Sequence, residues 1–167
     1  YGAEVIKRPK ELATDTAPTE HVLEHAVRWL EEHEDYKADV IVLLQPTSPL
    51  RSSKHIDEAL DIFLKKKFDS LLSVCPSYAF VWKMSNDCAY SINYDFKNRP
   101  RRQDKEPEYR ENGAIYISTC NNFLEKHNRL GGKIGLYIMS EESSIEIDTE
   151  FDFWLCEQII NRQRGVG

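Results

Sequence analysis

Residues 40–53 read Val40-Ile41-Val42-Leu43-Leu44-Gln45-Pro46-Thr47-Ser48-Pro49-Leu50-Arg51-Ser52-Ser53. The first five are apolar without interruption, the pattern of a strand covered on both faces. The next stretch is polar, and Pro46 and Pro49 fix φ and hold it in one shape. A helical pattern follows, with Ser52 or Ser53 as its cap and Ile56, Ala59, Leu60, Phe63 and Leu64 along one face. A strand that ends in a stiff polar loop ahead of a helix is where open α/β sheets place ligands. Gln45, at the carboxyl end of the strand, offers both donors and acceptors.

Outward from this unit the alternation continues. Strand patterns occupy residues 4–7, 69–74, 113–118 and 135–139. A helix capped by Asp15 or Thr16, with Pro18 in its first turn, runs to about Glu34 and carries Val22, Leu23, Ala26, Val27 and Leu30 on one side. Further helices are expected over 121–126 and 151–161. Residues 76–111 differ: they are polar, aromatic and basic, with strand patterns near 81–84 and 90–93. They read as an excursion from one domain spanning residues 1–167. Strands alternating with helices indicate an α/β fold with a mostly parallel sheet.

Composition narrows the function. A hydrophobic content of 41% and an aromatic content of 11% suit a globular core rather than disorder. The net charge of −6 argues against a general nucleic-acid binder. A small anionic ligand stays open, because Lys97, Arg99, Arg101, Arg102, Lys105 and Arg110 cluster in the excursion, although Lys97 and Lys105 are read as solvated. Cys75, Cys88, Cys120 and Cys156 show no Cys-x-x-Cys or zinc spacing, which suits reduced thiols and a cytoplasmic setting. No apolar run reaches transmembrane length, and no signal peptide is visible. Tyr1-Gly2-Ala3-Glu4-Val5-Ile6 reads as a turn entering a strand, so the chain is expected to start inside a longer one.

Glu146 and Asp148 are two residues apart, so on a strand they project to one face. The residues alone leave two uses open. The pair suits Mg²⁺, a hard cation that takes oxygen ligands and triphosphate. Alternatively, Asp148 or Thr149 caps the last helix, with Asp152 in its first turn. His21 and His25 are four apart on a helix, but no acid lies between them as in His-Glu-x-x-His, so a metal role is not assigned. Cys75 has no neighbouring base in sequence and is read as packing. Trp29, Trp82 and Trp154 are read as core or interface.

Four segments, in order, carry a resemblance: residues 8–17 (Arg8-Pro9-Lys10-Glu11-Leu12-Ala13-Thr14-Asp15-Thr16-Ala17), residues 43–51, residues 112–116 (Asn112-Gly113-Ala114-Ile115-Tyr116), and residues 144–152 (Ser144-Ile145-Glu146-Ile147-Asp148-Thr149-Glu150-Phe151-Asp152). Together they resemble the cytidylyltransferases that activate nine-carbon α-keto acids, the CMP-N-acetylneuraminate synthetase (acylneuraminate cytidylyltransferase) family with its legionaminate and pseudaminate relatives. The match runs from Tyr1 to about Ile160. The resemblance implies a three-layer α/β/α nucleotidyltransferase fold, the Rossmann-like architecture of the nucleotide-diphospho-sugar transferases, with a dimerising excursion. It implies catalytic roles for Asp148 and Gln45, with Mg²⁺ or Mn²⁺ held by Asp148 and Glu146. Glu146 stands where the family often has Asp, and its extra methylene allows binding through water. Arg8, Ala17 and Thr19 match the segment that recognises cytidine. Gln45, Lys83, Arg102, Gln103, Arg110 and Tyr116 match the sugar-acid side. An extra residue between Pro100 and Arg110 leaves Arg101 and Arg102 both open for one position, and Glu111 stands where the family usually has Pro. In such enzymes the excursion reaches across a homodimer.

The implied reaction joins CTP and a sialic-acid-like nonulosonic acid, giving a CMP-sugar and pyrophosphate. The family's opening glycine-containing basic loop, which cradles the triphosphate, does not occur in the sequence. Roughly 50–60 residues at ordinary element lengths would carry it ahead of Tyr1. Two other readings remain at this point: a synthetase for the eight-carbon acid Kdo, and a non-catalytic domain that binds nucleotide or sugar.

Overall fold

The computed structural model describes residues 2–165. The main sheet has four strands: β1 (Val40–Leu43), β2 (Ser70–Ser77), β5 (Glu108–Thr119) and β6 (Ile134–Ile138), in the order β1-β5-β2-β6. β3 (Trp82–Ser85) and β4 (Cys88–Ser91) form a separate two-stranded hairpin. The helices are α1 (Thr19–Glu34), α2 (Ser53–Lys66), α3 (Cys120–Lys126) and α4 (Glu150–Gln163).

β2 pairs with β6 in parallel, while β5 runs antiparallel to both β1 and β2. Three of the four strands therefore share one direction, as the alternation of strands and helices predicts, and β5 is inserted against them. Period-two alternation sorts the sheet into two faces. On one face Leu71, Ile115, Ile117, Tyr137 and Met139 pack with Ala59 and Phe63 of α2. On the other, Leu72, Val74 and Tyr116 pack with Leu43 and Leu130. α1 lies on this second side. The Arg129 guanidinium sits 4.8 Å over the Tyr116 ring and donates to Glu20 of α1 at 2.8 Å. Helices on both faces of the sheet make the three layers.

Local chemistry explains the ends. The Ser52 hydroxyl accepts from His55 N, and His55 Nδ1 accepts from Ser52 N, closing a reciprocal cap on α2. Lys65 and Lys66 in its last turn complement the helix dipole. The β3–β4 hairpin turns at Asn86 and Asp87, both with positive φ, as a tight two-residue turn requires.

Three expectations need correction. Residues 4–7 form no strand: among the described residues they have no ladder partner, and Val5 is 88% exposed. A strand exists only as a paired ladder, so its apolar residues alone do not make one. α1 starts later than Asp15 or Thr16 would set it; Pro18 is its N-cap, after a turn in which Ala17 N donates to Thr14 O. β5 starts five residues ahead of Gly113, because Glu108–Glu111 add to β2 although their side chains are exposed and largely charged.

Candidate active site

The centre of the site is a distortion in the β2–β5 ladder. Between Leu72 and Val74, β2 advances two residues, while β5 advances five, from Glu111 to Tyr116. The intervening residues of β5 are Asn112, Gly113, Ala114 and Ile115, all buried, against the single Ser73 of β2. Gly113 has φ +63°, a conformation in which a Cβ is strained. A Cβ at this position would overlap the Glu146 carboxylate and come within 2.6 Å of Gln45 Oε1. The bulge thus brings together two side chains that lie 101 residues apart in sequence, Gln45 and Glu146.

Several bonds hold them there. Arg51 Nη1 donates to the Gln45 carbonyl at 3.1 Å and to the Ala114 carbonyl at 2.7 Å, tying the loop after β1 to β5. Burial lowers the Arg51 pKa, yet the guanidinium spends its donors on carbonyls and acts as a brace. Ile147 N donates to the Thr47 carbonyl at 2.8 Å, which docks the acidic segment onto the same loop.

The acidic segment resolves into separate uses. Thr149 is the N-cap of α4, its hydroxyl paired with Asp152 N and the Asp152 carboxylate with Thr149 N. Asp148 gives only its main-chain N–H to Asp152, so its exposed carboxylate has no capping duty. Glu146 is half-buried. Burial raises its pKa first, the Asp148 and Glu111 charges raise it further, and Arg110 opposes them. Among the described residues no group of three or more His, Cys, Asp or Glu side chains is placed to hold a metal ion. Mg²⁺ commonly takes one or two carboxylates and completes its octahedron with water and phosphate oxygens, so this oxygen pair fits it.

On the far side of the bulge, Tyr116 donates its hydroxyl to Glu111 Oε1 at 2.8 Å. Burial, then this bond, raises the Tyr116 pKa well above its ordinary value. Arg110 and Arg102 border one cavity of about 560 Å³ with Cys75, Tyr78, Phe80 and Glu141. Arg102 also stands 5.3 Å over the Tyr78 ring and shares an adjoining cavity with Gln103. Of the two arginines left open, Arg101 is paired with Asp104 at 2.6 Å, whereas Arg102 borders both cavities.

The structure thus brings Gln45 and Glu146 together at the bulge, with Asp148 two residues beyond Glu146, Tyr116 on the far side, and Arg110 and Arg102 on one shared cavity. Lys83 is exposed on β3. Arg8 is exposed in the N-terminal loop, Ala17 lies in a turn, and Thr19 opens α1. Among the described residues no hydrogen bond joins these four to Gln45 or Glu146. Three structural residues escape a reading of the sequence: Gly113 as the space for two side chains, Arg51 as the brace, and Glu111 as the partner of Tyr116. The first is signalled only by a glycine inside a strand pattern, the mark of a bulge or a close approach.

No family model matches the chain. It is 34% identical to the N-acylneuraminate cytidylyltransferase of Escherichia coli O18:K1:H7 over 98% of its own length. It is 34% identical to N-acylneuraminate cytidylyltransferase A of Danio rerio over 97%, and 32% identical to the N-acylneuraminate cytidylyltransferase of Streptococcus agalactiae serotype III over 91%. The chain spans between 36% and 39% of the length of these relatives. Over nearly all of its own length, the chain is similar to proteins named N-acylneuraminate cytidylyltransferase.

Proposed function

We propose that the protein containing this chain joins a sialic-acid-like nonulosonic acid to the α-phosphate of CTP, releasing pyrophosphate. The observation that carries the proposal is the meeting of Gln45 and Glu146 at the Gly113 bulge, with Asp148 two residues along, in a chain similar along almost all its length to proteins named N-acylneuraminate cytidylyltransferase.

In the reaction the hydroxyl at the anomeric carbon attacks the α-phosphorus. The new O–P bond forms as the bond to the β-phosphate oxygen breaks, and the hydroxyl proton leaves to solvent or to a nearby base. There is little covalent work for the protein, which must align the two oxygens and neutralise charge. Asp148 and Glu146 would hold Mg²⁺, which polarises phosphate oxygens and lowers the pKa of a bound hydroxyl. Gln45, half-buried beside them, orients the sugar by hydrogen bonds. Arg110 and Arg102 give the cavity positive charge for the carboxylate of the sugar acid, a charge-assisted contact. Tyr116 donates its hydroxyl hydrogen bond to Glu111, so toward the sugar it offers its ring and a lone pair. Lys83 and Gln103 complete the sugar side from the excursion, and Arg8, Ala17 and Thr19 recognise cytidine. The free cysteines, and the lack among the described residues of a helix long and apolar enough to cross a membrane, accord with a cytoplasmic setting. The exposed aromatic hairpin, with Trp82, Met84 and Tyr90, accords with a homodimer.

The test is pyrophosphate release by the full-length protein. Release that requires CTP, Mg²⁺ and a nonulosonic acid together supports the proposal. A folded protein that binds CTP yet releases no pyrophosphate with any such acid refutes it.

A further inference from the structure

We infer that Asn112 is a positioning residue that sets the Gln45 loop and the Glu146–Asp148 segment against each other. The inference rests on the proposed reaction, because it concerns how that site is assembled. Asn112 is fully buried, and its side-chain amide and main-chain carbonyl are engaged. Its Oδ1 accepts from Ser73 Oγ at 2.6 Å and from Ala114 N at 3.3 Å. Its Nδ2 donates to Ser144 Oγ at 2.8 Å and reaches Met139 Sδ at 3.4 Å. Its carbonyl accepts from Ser48 Oγ at 3.3 Å.

Each link leads somewhere specific. The Ser144 hydroxyl donates a hydrogen bond to the Ser140 carbonyl at 2.7 Å, and Ser144 stands two residues before Glu146. Ser48 lies in the loop after β1, and its N–H donates to the Gln45 carbonyl at 3.3 Å. Ser73 anchors the whole to β2. Gly113, the next residue, is the position over which Gln45 and Glu146 meet. The side chain of Asn112 therefore holds the acidic segment through Ser144, and its carbonyl holds the Gln45 loop through Ser48. A buried amide with every donor and acceptor used has one low-energy pose, and loss of a partner leaves buried groups unsatisfied. The ordinary alternative is a polar core network that supports the fold without steering the site.

Ser73 and Ser144 separate the two. Ser73 takes part in the same network and also accepts from Ile115 N at 2.7 Å, so Ser73→Ala costs stability without cutting a link to either active-site segment. Ser144→Ala cuts the link to the acidic segment. In the full-length protein, Asn112→Ala, Ser144→Ala and Ser73→Ala are compared by denaturation midpoint, kcat, KM and Mn²⁺ affinity, the last from the electron paramagnetic resonance of free Mn²⁺ at equilibrium. Ser144→Ala is expected to weaken Mn²⁺ binding about tenfold or more, on the scale for lost outer-shell partners of metal ligands, and to lower kcat with it. Ser73→Ala is expected to keep both while losing at least as much stability. Equal losses in the two serine variants, wild-type affinity in both, or a wild type that does not bind Mn²⁺ would overturn the inference. If Asn112→Ala fails to fold, the serine pair still decides. A wild type that makes no CMP-sugar yet shows the Ser144-specific loss of Mn²⁺ binding would sink the proposed reaction and leave the positioning role standing.

Discussion

Gly113 and Glu146 share one volume: the place a Cβ would take on the first is filled by the carboxylate of the second. The backbone at Gly113 is left-handed at φ +63°, so both space and torsion demand glycine. Gly113→Ala should cost about 1–2 kcal/mol from the backbone alone. It should also push Glu146 and Gln45 aside and cut turnover on the order of 10²-fold, the scale of a small misplacement in a reacting site. Urea denaturation and kcat of the same preparation check both parts. An alanine variant with wild-type turnover would mean that the close approach is not used.

Asp148 and Asp152 are near neighbours with separable duties. Asp148→Asn leaves the Thr149–Asp152 cap in place, so thermal stability should hold while turnover falls about 10²-fold or more, as for lost stabilisation of transition-state charge. Asp152→Ala should do the reverse, losing about 1 kcal/mol of stability from the broken cap with a far smaller effect on rate. Thermal melts and initial rates of the two variants, side by side, distinguish cap from ligand.

Glu111 and Tyr116 should behave as one unit. Removing either by Glu111→Ala or Tyr116→Phe breaks the same 2.8 Å bond. A double-mutant cycle on stability is expected to give a coupling of about 1 kcal/mol. Purely additive losses would show that the bond contributes nothing. Tyr116→Phe is also expected to raise the KM for the sugar acid more than that for CTP, since the proposed reaction puts Tyr116 against the sugar.

The Tyr137 hydroxyl donates to Glu58 Oε2 at 2.6 Å, linking β6 to α2. This bond, then the charges of Lys54 and His55, holds the Glu58 pKa below the ordinary glutamate value. A depressed carboxylate stabilises the fold above its unfolded pKa, about 4.3, and that stability is lost as pH falls through the folded value. Tyr137→Phe should therefore lower the melting temperature at neutral pH and flatten its decline in acid. An acid slope equal to that of wild type would remove Glu58 from the linkage.

Much of the fold is legible in the amino-acid sequence. The run Val40–Leu43 is apolar without break and bounded by a proline-stiffened loop, so β1 and the loop bearing Gln45 follow from composition and order, although β1 is an edge strand with all four residues half-buried rather than covered on both faces. The pairing of Gln45 with Glu146 does not follow. It depends on a bulge in which β5 spends five residues against two of β2, and neither strand announces that mismatch. Residues 108–111 are hidden for a related reason: their side chains are exposed, so the ladder they add to β2 leaves no apolar trace. Val5 and Ile6 err in the other direction, apolar residues with no ladder partner among the described residues. The cap of α4 is legible as a choice between Asp148 and Thr149, and geometry decides for Thr149, because only its hydroxyl meets Asp152 N. Asn112 is invisible as an organiser, since a buried asparagine and an exposed one are written alike.

The most direct test is a product panel resolved by mass. The full-length protein and its Asp148→Asn variant would be given CTP and Mg²⁺ with each of several nonulosonic acids and with Kdo. The expected result is a CMP-conjugate of at least one nonulosonic acid from the wild type, and far less from the variant. A conjugate of Kdo alone, an undiminished yield from Asp148→Asn, or no conjugate at all from folded wild-type protein would contradict the proposed activity.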